Sequence, residues 1–341
     1  MHGFNDISRF LTEAIDPPQQ SSVAQAIHEL KEAGAVDEAE ELTPIGRHLC
    51  YLPVDLSIGK MLIVGTLLNC LDPVLTLAAA MSLGKPMLVR PFDPEERAAA
   101  NAAHAKYRKY RCLSYADDKQ LSDLLVILSA YEDWRTTAST AGKTRRNLHD
   151  FCKRNWINRD AMDALEDYRE QYLRMLSDLN LVRVLRNEQN KHVPFGHLIR
   201  PRARDVPGFS GGFTVPPAHA NVNGKNVNVL YAAIIAGFDH IVMPAASGRG
   251  FEIAQISVAK KVRGISHAIQ IEERQRVSTR PVVIDRSSVN ASPDHPFSPK
   301  CALIAANLSG SGDATFANMS TRVNLASVVL FARSLTYWPK A

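Results

Sequence analysis

Leu42-Thr43-Pro44-Ile45-Gly46-Arg47-His48-Leu49, then Leu52-Pro53-Val54-Asp55 and Ile58-Gly59-Lys60-Met61-Leu62, is the stretch on which the reading of this chain turns. Thr43 stands where an N-cap hydroxyl belongs, and Pro44 at the first helical position, where its missing N–H leaves no bond unmade. The spacing predicts a short helix, an extended connection through Tyr51-Leu52-Pro53-Val54, and a second helical block from Asp55. In that block Met61, Leu62, Val64, Leu67 and Leu68 are apolar nearly all round, the pattern of a buried helix.

Upstream, after Pro17 and Pro18, Val23, Ala26, Ile27, Leu30 and Ala33 recur at helical spacing, and Gly34 stops the helix. Downstream, Asp72-Pro73 repeats the cap-then-proline start, with Val74, Leu75, Leu77 and Ala78 following, and Pro86 and Pro91 break the pattern. An Ala-rich helix over 95–105 ends in Lys106, Arg108, Lys109 and Arg111, interleaved with Tyr107 and Tyr110. Ser122 opens another helix carrying Leu124, Leu125, Leu128, Tyr131 and Trp134. A polar stretch at 136–144 leads to 151–156 and then to a long amphipathic helix with Met162, Leu165, Tyr168, Tyr172, Leu173, Leu176 and Leu179. Together these read as one bundle of about seven helices.

Past Leu181 the helical stripes give way to short Val/Ile runs at 181–185, 227–235, 240–243, 253–262, 282–284, 302–308 and 328–331. Short strands with turn signals between them predict a small barrel or sandwich. The Pro-, Gly- and Asn-rich segment 200–224 reads as a long, mobile loop.

The formal net charge of +5 hides an asymmetry. Residues 1–140 carry 13 Lys+Arg against 19 Asp+Glu, and residues 141–341 carry 27 against 16, so the halves stand at −6 and +11. A basic half points to a polyanionic partner, although a solvated basic face has the same composition. The five cysteines, Cys50, Cys70, Cys112, Cys152 and Cys301, are scattered and form no C-x-x-C pair. Such usage suits buried thiols in a reducing intracellular compartment, cytoplasm or nucleus, and gives no zinc signature. No apolar run reaches the roughly 18 residues of a membrane span, and 1–9 lacks the order of a signal peptide.

Two strings imitate nucleotide chemistry. Gly142-Lys143-Thr144 resembles the end of a P-loop, but Thr137 sits where the first glycine belongs, and a helix precedes it instead of a buried strand. Asp37-Glu38-Ala39-Glu40 resembles a magnesium-binding box, yet it follows a helix stop and reads as a solvated acidic turn. Histidines such as His48, His104, His149 and His197 show no metal-ligand spacing, and Ser287-Ser288 lacks the glycines of a nucleophile elbow. The expectation is no catalytic residue and no metal site.

At this point the chain resembles a family. Phe10 to Pro18 (FLTEAIDPP) is similar to the segment that leaves the second RecA-like domain of DEAH/RNA-helicase-A-type DExH helicases. Ala26-Ile27-His28-Glu29-Leu30 with Gly34-Ala35-Val36, and the opening stretch, resemble the family's winged helix and the start of its ratchet. Cys70-Leu71-Asp72-Pro73-Val74-Leu75-Thr76-Leu77-Ala78-Ala79-Ala80, Ser122-Asp123, Ala130-Tyr131-Glu132, Trp134 and Phe151-Cys152 continue the resemblance. It is dense over 7–182 and thinner beyond, where Leu230 to Gly237 (LYAAIIAG) resembles the first barrel-strand region. Ile284-Asp285-Arg286-Ser287-Ser288-Val289-Asn290 resembles a string in which the family has histidine-proline for Asp285-Arg286; Leu124 likewise stands where a histidine usually follows Ser-Asp.

The resemblance implies an α+β multidomain chain with no RecA-like domain: the end of the linker from the second RecA-like domain and the winged helix at 1–54, helical ratchet at 55–180, and an OB-fold-like β-barrel with the long loop 200–224 at 181–341. It implies an accessory half of an RNA helicase, separated from the motor domains where ATP and Mg²⁺ would bind, with no cofactor of its own. The implied partners are single-stranded RNA or ribonucleoprotein, a RecA-like core in cis or in trans, and an activator protein on the barrel, with no membrane. A stand-alone RNA- or ribosome-binding module and a protein scaffold without RNA binding are the alternatives. For the RNA, phosphates are expected against Lys143, Arg145, Arg146, Lys153 and Arg154, against Arg200, Arg202 and Arg204, and against Lys260, Lys261 and Arg263. Ser287, Ser288 and Asn290 are expected contacts from the family string.

Overall fold

The computed structural model describes residues 7–108, 122–139, 145–183, 213–238, 241–244, 251–260, 269–276, 282–285, 288–291, 301–311, 314–324 and 335–337. The chain divides into two compact units, Met1–Lys60 and Met61–Ala341.

In the first unit, α1 (Ile7–Thr12) and α2 (Gln20–Glu32) precede α3 (Pro44–Leu49). The Thr43 hydroxyl does what the sequence predicts. It accepts from the Gly46 N–H at 3.0 Å and donates to the Gly34 carbonyl at 2.6 Å, tying the start of α3 to the end of α2. Gly46 is required here, because a Cβ would lie 1.8 Å from the Ala35 carbonyl oxygen. Gly34, at φ +67°, ends α2 in the left-handed conformation that glycine tolerates. Val36 and Leu42 pair across the intervening turn.

In the second unit the helical part comprises α4 (Leu56–Leu67, which starts in the first unit), α5 (Leu71–Ser82), α6 (Pro94–Ala105), α7 (Asp123–Ser139), α8 (Arg145–Arg154) and α9 (Arg159–Asp178). Helix α5 is the centre: Leu71, Val74, Leu75, Leu77, Ala78 and Ala79 are fully buried, and α9 and α7 pack on it. Each such leucine contributes roughly 1.5–3 kcal/mol. Asn158 caps α9 through the Ala161 N–H. At its other end Asn180 takes φ +57°, and the Leu181 N–H returns to the Leu176 carbonyl at 3.0 Å, a Schellman-type closure.

Several expectations are corrected. Helix α5 begins at Leu71, so Asp72 lies inside the first turn, and the carboxamide of distant Asn221 accepts from the Asp72 N–H at 3.1 Å. Residues 181–183 close α9 and are not a strand. The apolar run 227–235 is a helix, α10 (Val227–Gly237), capped by Asn226 Oδ1 and buried from Leu230 to Gly237. A short apolar run has no periodicity to separate buried strand from buried helix; here Ala232, Ala233 and Ala236 and the cap favour helix. The described end of segment 200–224 is not a mobile loop. It is held on the bundle through Thr214, Asn221 and Asn223, the last donating to the Leu68 carbonyl at 2.8 Å.

The sheet comprises β1 (Ile241–Pro244), β2 (Phe251–Lys260), β3 (Ile269–Arg276), β4 (Val282–Ile284), β5 (Cys301–Ser311), β6 (Ala314–Asn324) and β7 (Leu335–Tyr337). Its pairings run β1–β5–β6–β4–β2, and β2 also pairs β1. β4 and β6 are parallel, as are β2 and β7; the other pairs are antiparallel. Val242, Val282, Ile284, Leu303, Ala305 and Ala317 form its core, with Phe251 against them. β3, β6 and β7 fall outside the expected strand runs, and β3 and β6 carry no apolar run. The expected strand at 328–331 lies outside the described residues.

Candidate nucleic-acid interface

A buried ionic cluster sets the positions of the helices around any surface they form. Arg169 on α9 is fully buried, and its Nη2 lies 2.6 Å from Asp72 Oδ1 on α5 and 2.8 Å from the Thr214 carbonyl. Its Nη1 donates to the Asp72 carbonyl at 2.8 Å and to the Thr76 hydroxyl. Arg135 on α7 reaches the same Asp72 carboxylate at 3.2 Å. Glu166, also fully buried, accepts from the Tyr131 hydroxyl and from the Thr214 N–H at 3.0 Å. Burial pushes the Asp72 carboxyl up, but the Arg169 and Arg135 guanidiniums outweigh it and hold the group below the ordinary carboxylate range. Burial, with Glu166 alongside, raises the Tyr131 phenol, so it stays a donor. This cluster holds three helices and the 213–217 segment in one arrangement. It is structural, and it faces inward.

Elsewhere in the second unit opens a cleft of about 380 Å³. The 86–90 connection forms one wall and is pinned to the start of α9: the Asn158 N–H donates to the Met87 carbonyl at 2.8 Å, and the Val89 N–H to the Trp156 carbonyl at 2.7 Å. His104 on α6 lies within 3.2 Å of that same Trp156 carbonyl. Val126 and Ile127 of α7 and Met319 of β6 supply apolar faces, while Arg90, Asn101, His104 and Asp123 supply polar ones. Helical part and sheet therefore both line it.

Their junction is a chain of short hydrogen bonds. Asp123 Oδ2 accepts from the Ser288 hydroxyl at 2.6 Å and from the Ser320 N–H at 2.9 Å. Ser122 Oγ lies 2.8 Å from Thr321 Oγ1. Asn290 Nδ2 donates to the Ser320 carbonyl and hydroxyl at 3.0 Å, and its Oδ1 accepts from Arg322 Nε at 2.8 Å.

Against the expected RNA contacts, the placement is uneven. Lys153 and Arg154 are exposed at the C-terminal end of α8, where Arg154 Nε also donates to the Asp150 carbonyl. Arg145 and Arg146 open α8, and Lys260 ends β2, paired with Ile269. Lys143, Arg200, Arg202, Arg204, Lys261, Arg263 and Ser287 lie outside the described residues. Ser288 and Asn290 are only 7% and 4% exposed and take part in the junction. The cleft residues Arg90, Asn101 and Met319 carry no sequence signal: they sit on three separate elements, and nothing local marks them. Only the Ser122-Asp123 and Ser288–Asn290 strings signal the junction.

The 37–40 turn is exposed, Asp37 Oδ1 accepts from its own Ala39 and Glu41 N–H groups, and no cluster of metal-ligating side chains occurs among the described residues. The Gly142-Lys143-Thr144 string lies outside them. No described helix is long and apolar enough to cross a membrane.

Comparison with known proteins places these elements. Residues 26–54 match the helicase-associated domain (HA2), winged-helix, and residues 55–127 match the helicase-associated domain (HA2), ratchet-like. The chain is 35% identical over 180 residues to the Arabidopsis thaliana DExH-box ATP-dependent RNA helicase DExH3, covering 53% of this chain and 14% of that protein. It is 39% identical over 176 residues to DExH1 of the same plant, covering 52% and 16%. It is 37% identical over 168 residues to human ATP-dependent RNA helicase DHX29, covering 49% and 11%. The chain thus spans well under a fifth of the length of these relatives.

Proposed function

We propose, from the premise that this chain is a C-terminal helicase-associated region of the DExH RNA-helicase type, that it is the accessory part that holds single-stranded RNA for a RecA-type motor. The observation that carries this is the unbroken succession of winged-helix and ratchet matches over 26–127, followed in the same chain by a sheet. In this reading 1–54 holds the end of the RecA linker and the winged helix, and 55–180 the ratchet, with 213–238 packed on the ratchet. The sheet that follows is an OB-fold-like barrel. Its support is the pairing order β1–β2–β4–β6–β5–β1 with β4–β6 parallel, a Greek-key route.

The strand is held mainly through its phosphates. Lys153 and Arg154, exposed on α8, serve this, continued by Lys143, Arg145 and Arg146 and by the 200–204 and 260–263 arginines and lysines. The cleft beside α6 and α7 sets aliphatic faces next to an arginine, an amide and an imidazole. That combination suits an unpaired base, held by contact with its face and hydrogen bonds at its edge. Ser288 and Asn290 enter this reading as supports of the sheet. ATP turnover belongs to a motor in cis or in trans, and the sheet is the surface for an activating partner.

Fluorescence anisotropy with an oligouridine probe tests the reading. About four phosphate contacts, at a slope near −0.7 each, weaken binding by about 50-fold between 50 and 200 mM salt. Absent or salt-independent binding would instead support a protein scaffold.

A further inference from the structure

Strand β6 is served on one edge by β5 along its length, from Cys301↔Asn324 to Ser311↔Ala314. On the other edge, β4 pairs only with Thr315, Phe316 and Ala317 and then ends. The remaining edge of β6 is not left to solvent. Ser122, the residue before α7, forms an antiparallel bridge with Thr321, and their hydroxyls meet at 2.8 Å. One residue on, Asp123 accepts the Ser320 N–H at 2.9 Å, in the place where a neighbouring strand's carbonyl would accept it. Its Oδ2 takes the Ser288 hydroxyl as well, and Ser288 is itself tied to Ser320 at 2.8 Å. Ser122 Oγ meanwhile accepts from the Leu125 N–H at 3.2 Å, capping α7. Between the two parts Met319 holds φ +48°, a left-handed backbone rare for a non-glycine residue, and lines the cleft. Such a conformation persists only where surrounding contacts over-determine it.

We infer that the start of α7 acts as a substitute strand on the free edge of β6, with Asp123 as the positioning residue, so that ratchet helix and sheet are clasped into one body and the cleft keeps its width. Ser122 serves both parts: the same hydroxyl that caps the helix meets the sheet. Ser288 and Asn290 serve the clasp from the sheet side, with Asn290 passing the contact on to Arg322 at 2.8 Å. The clasp does not depend on RNA binding. It makes any displacement of α7 a displacement of β5 and β6, because moving one alone would strip partners from the Ser320 N–H and from a part-buried carboxylate.

Two measurements on the full chain test it. Amide hydrogen exchange of Asp123→Ala is expected to quicken at least tenfold across 301–324, with 159–178 unchanged. Ser288→Ala gives the same pattern, less strongly. Faster exchange confined to 122–139, with the β5–β6 region as in wild type, overturns the coupling. In an otherwise wild-type chain, Ser122→Cys with Thr321→Cys is expected to form a disulfide under mild oxidation, mapped by peptide mass spectrometry. That cross-link should restore slow exchange over 301–324 when Asp123→Ala is added, and reduction should remove it. Failure of the pair to cross-link overturns the placement itself, whatever the alanine variants do.

Discussion

Arg169 and Asp72 meet at 2.6 Å between α9 and α5, and the arginine side chain is wholly withdrawn from water. Asp72, Thr76, Thr214 and Glu166 surround its guanidinium, so one cation serves two helices and the segment leading to α10. Replacing one member of a buried pair leaves the other charged without a partner, which costs about 3–5 kcal/mol. Arg169→Ala is therefore expected to lower the unfolding free energy of the second unit, measured in urea, by that amount. A change under about 1 kcal/mol would show that the cluster is solvated.

The same pair sets an acid limb. The folded Asp72 carboxyl sits below its ordinary value of 3.8, so the stability it contributes is fully present above that value and is lost as pH falls through the folded pKa. Unfolding free energy measured from pH 7 down to pH 2 is expected to fall less steeply below pH 3.8 in Asp72→Asn than in wild type, although the variant starts from a lower plateau.

Gly46 packs without a Cβ against the Ala35 carbonyl, where a methyl carbon would stand at 1.8 Å from the oxygen. Backbone must move to admit it. Gly46→Ala is expected to destabilise the first unit by at least the roughly 1–3 kcal/mol typical of overpacking. Hydrogen exchange should quicken over 20–50 while 159–178 keeps its protection.

Among the described free thiols, only Cys50 is exposed. Burial pushes the Cys70 thiol up to about 12 and the Cys152 thiol up to about 11, so both stay protonated at neutral pH. Iodoacetamide at pH 8 on the native chain is expected to label Cys50 and spare those two; denaturation should expose them to labelling.

Lys153→Glu with Arg154→Glu, at the exposed end of α8, is expected to weaken oligouridine binding and flatten its salt dependence. The slope should fall by about 0.7 for each phosphate no longer neutralised. An unchanged slope would move the strand to the other basic clusters.

Much of the helical half is legible in the residues alone. Thr43-Pro44 marks the start of α3, Gly34 the end of α2, and the apolar spacing in 159–178 marks α9, because caps and periodicity are local properties of the backbone. The 227–235 run misleads because an all-apolar stretch is silent about its period. β3 and β6 escape notice because polar strands take their conformation from their neighbours. The cleft stays hidden because its walls come from residues as distant as Met87 and Met319.

Which segments cap, turn and bury is written into the chain, since those properties depend on residues within a few positions of each other. Which partners Asp72, Asp123, Ser288 and Asn290 take is decided by the folded arrangement alone. Each sits in a string that reads as a cap or a contact, and each is assigned by a hydrogen-bond partner some thirty or more residues away or on another element. A buried polar group must find its partner wherever the fold supplies one, and distance along the chain carries no information about which partner that is.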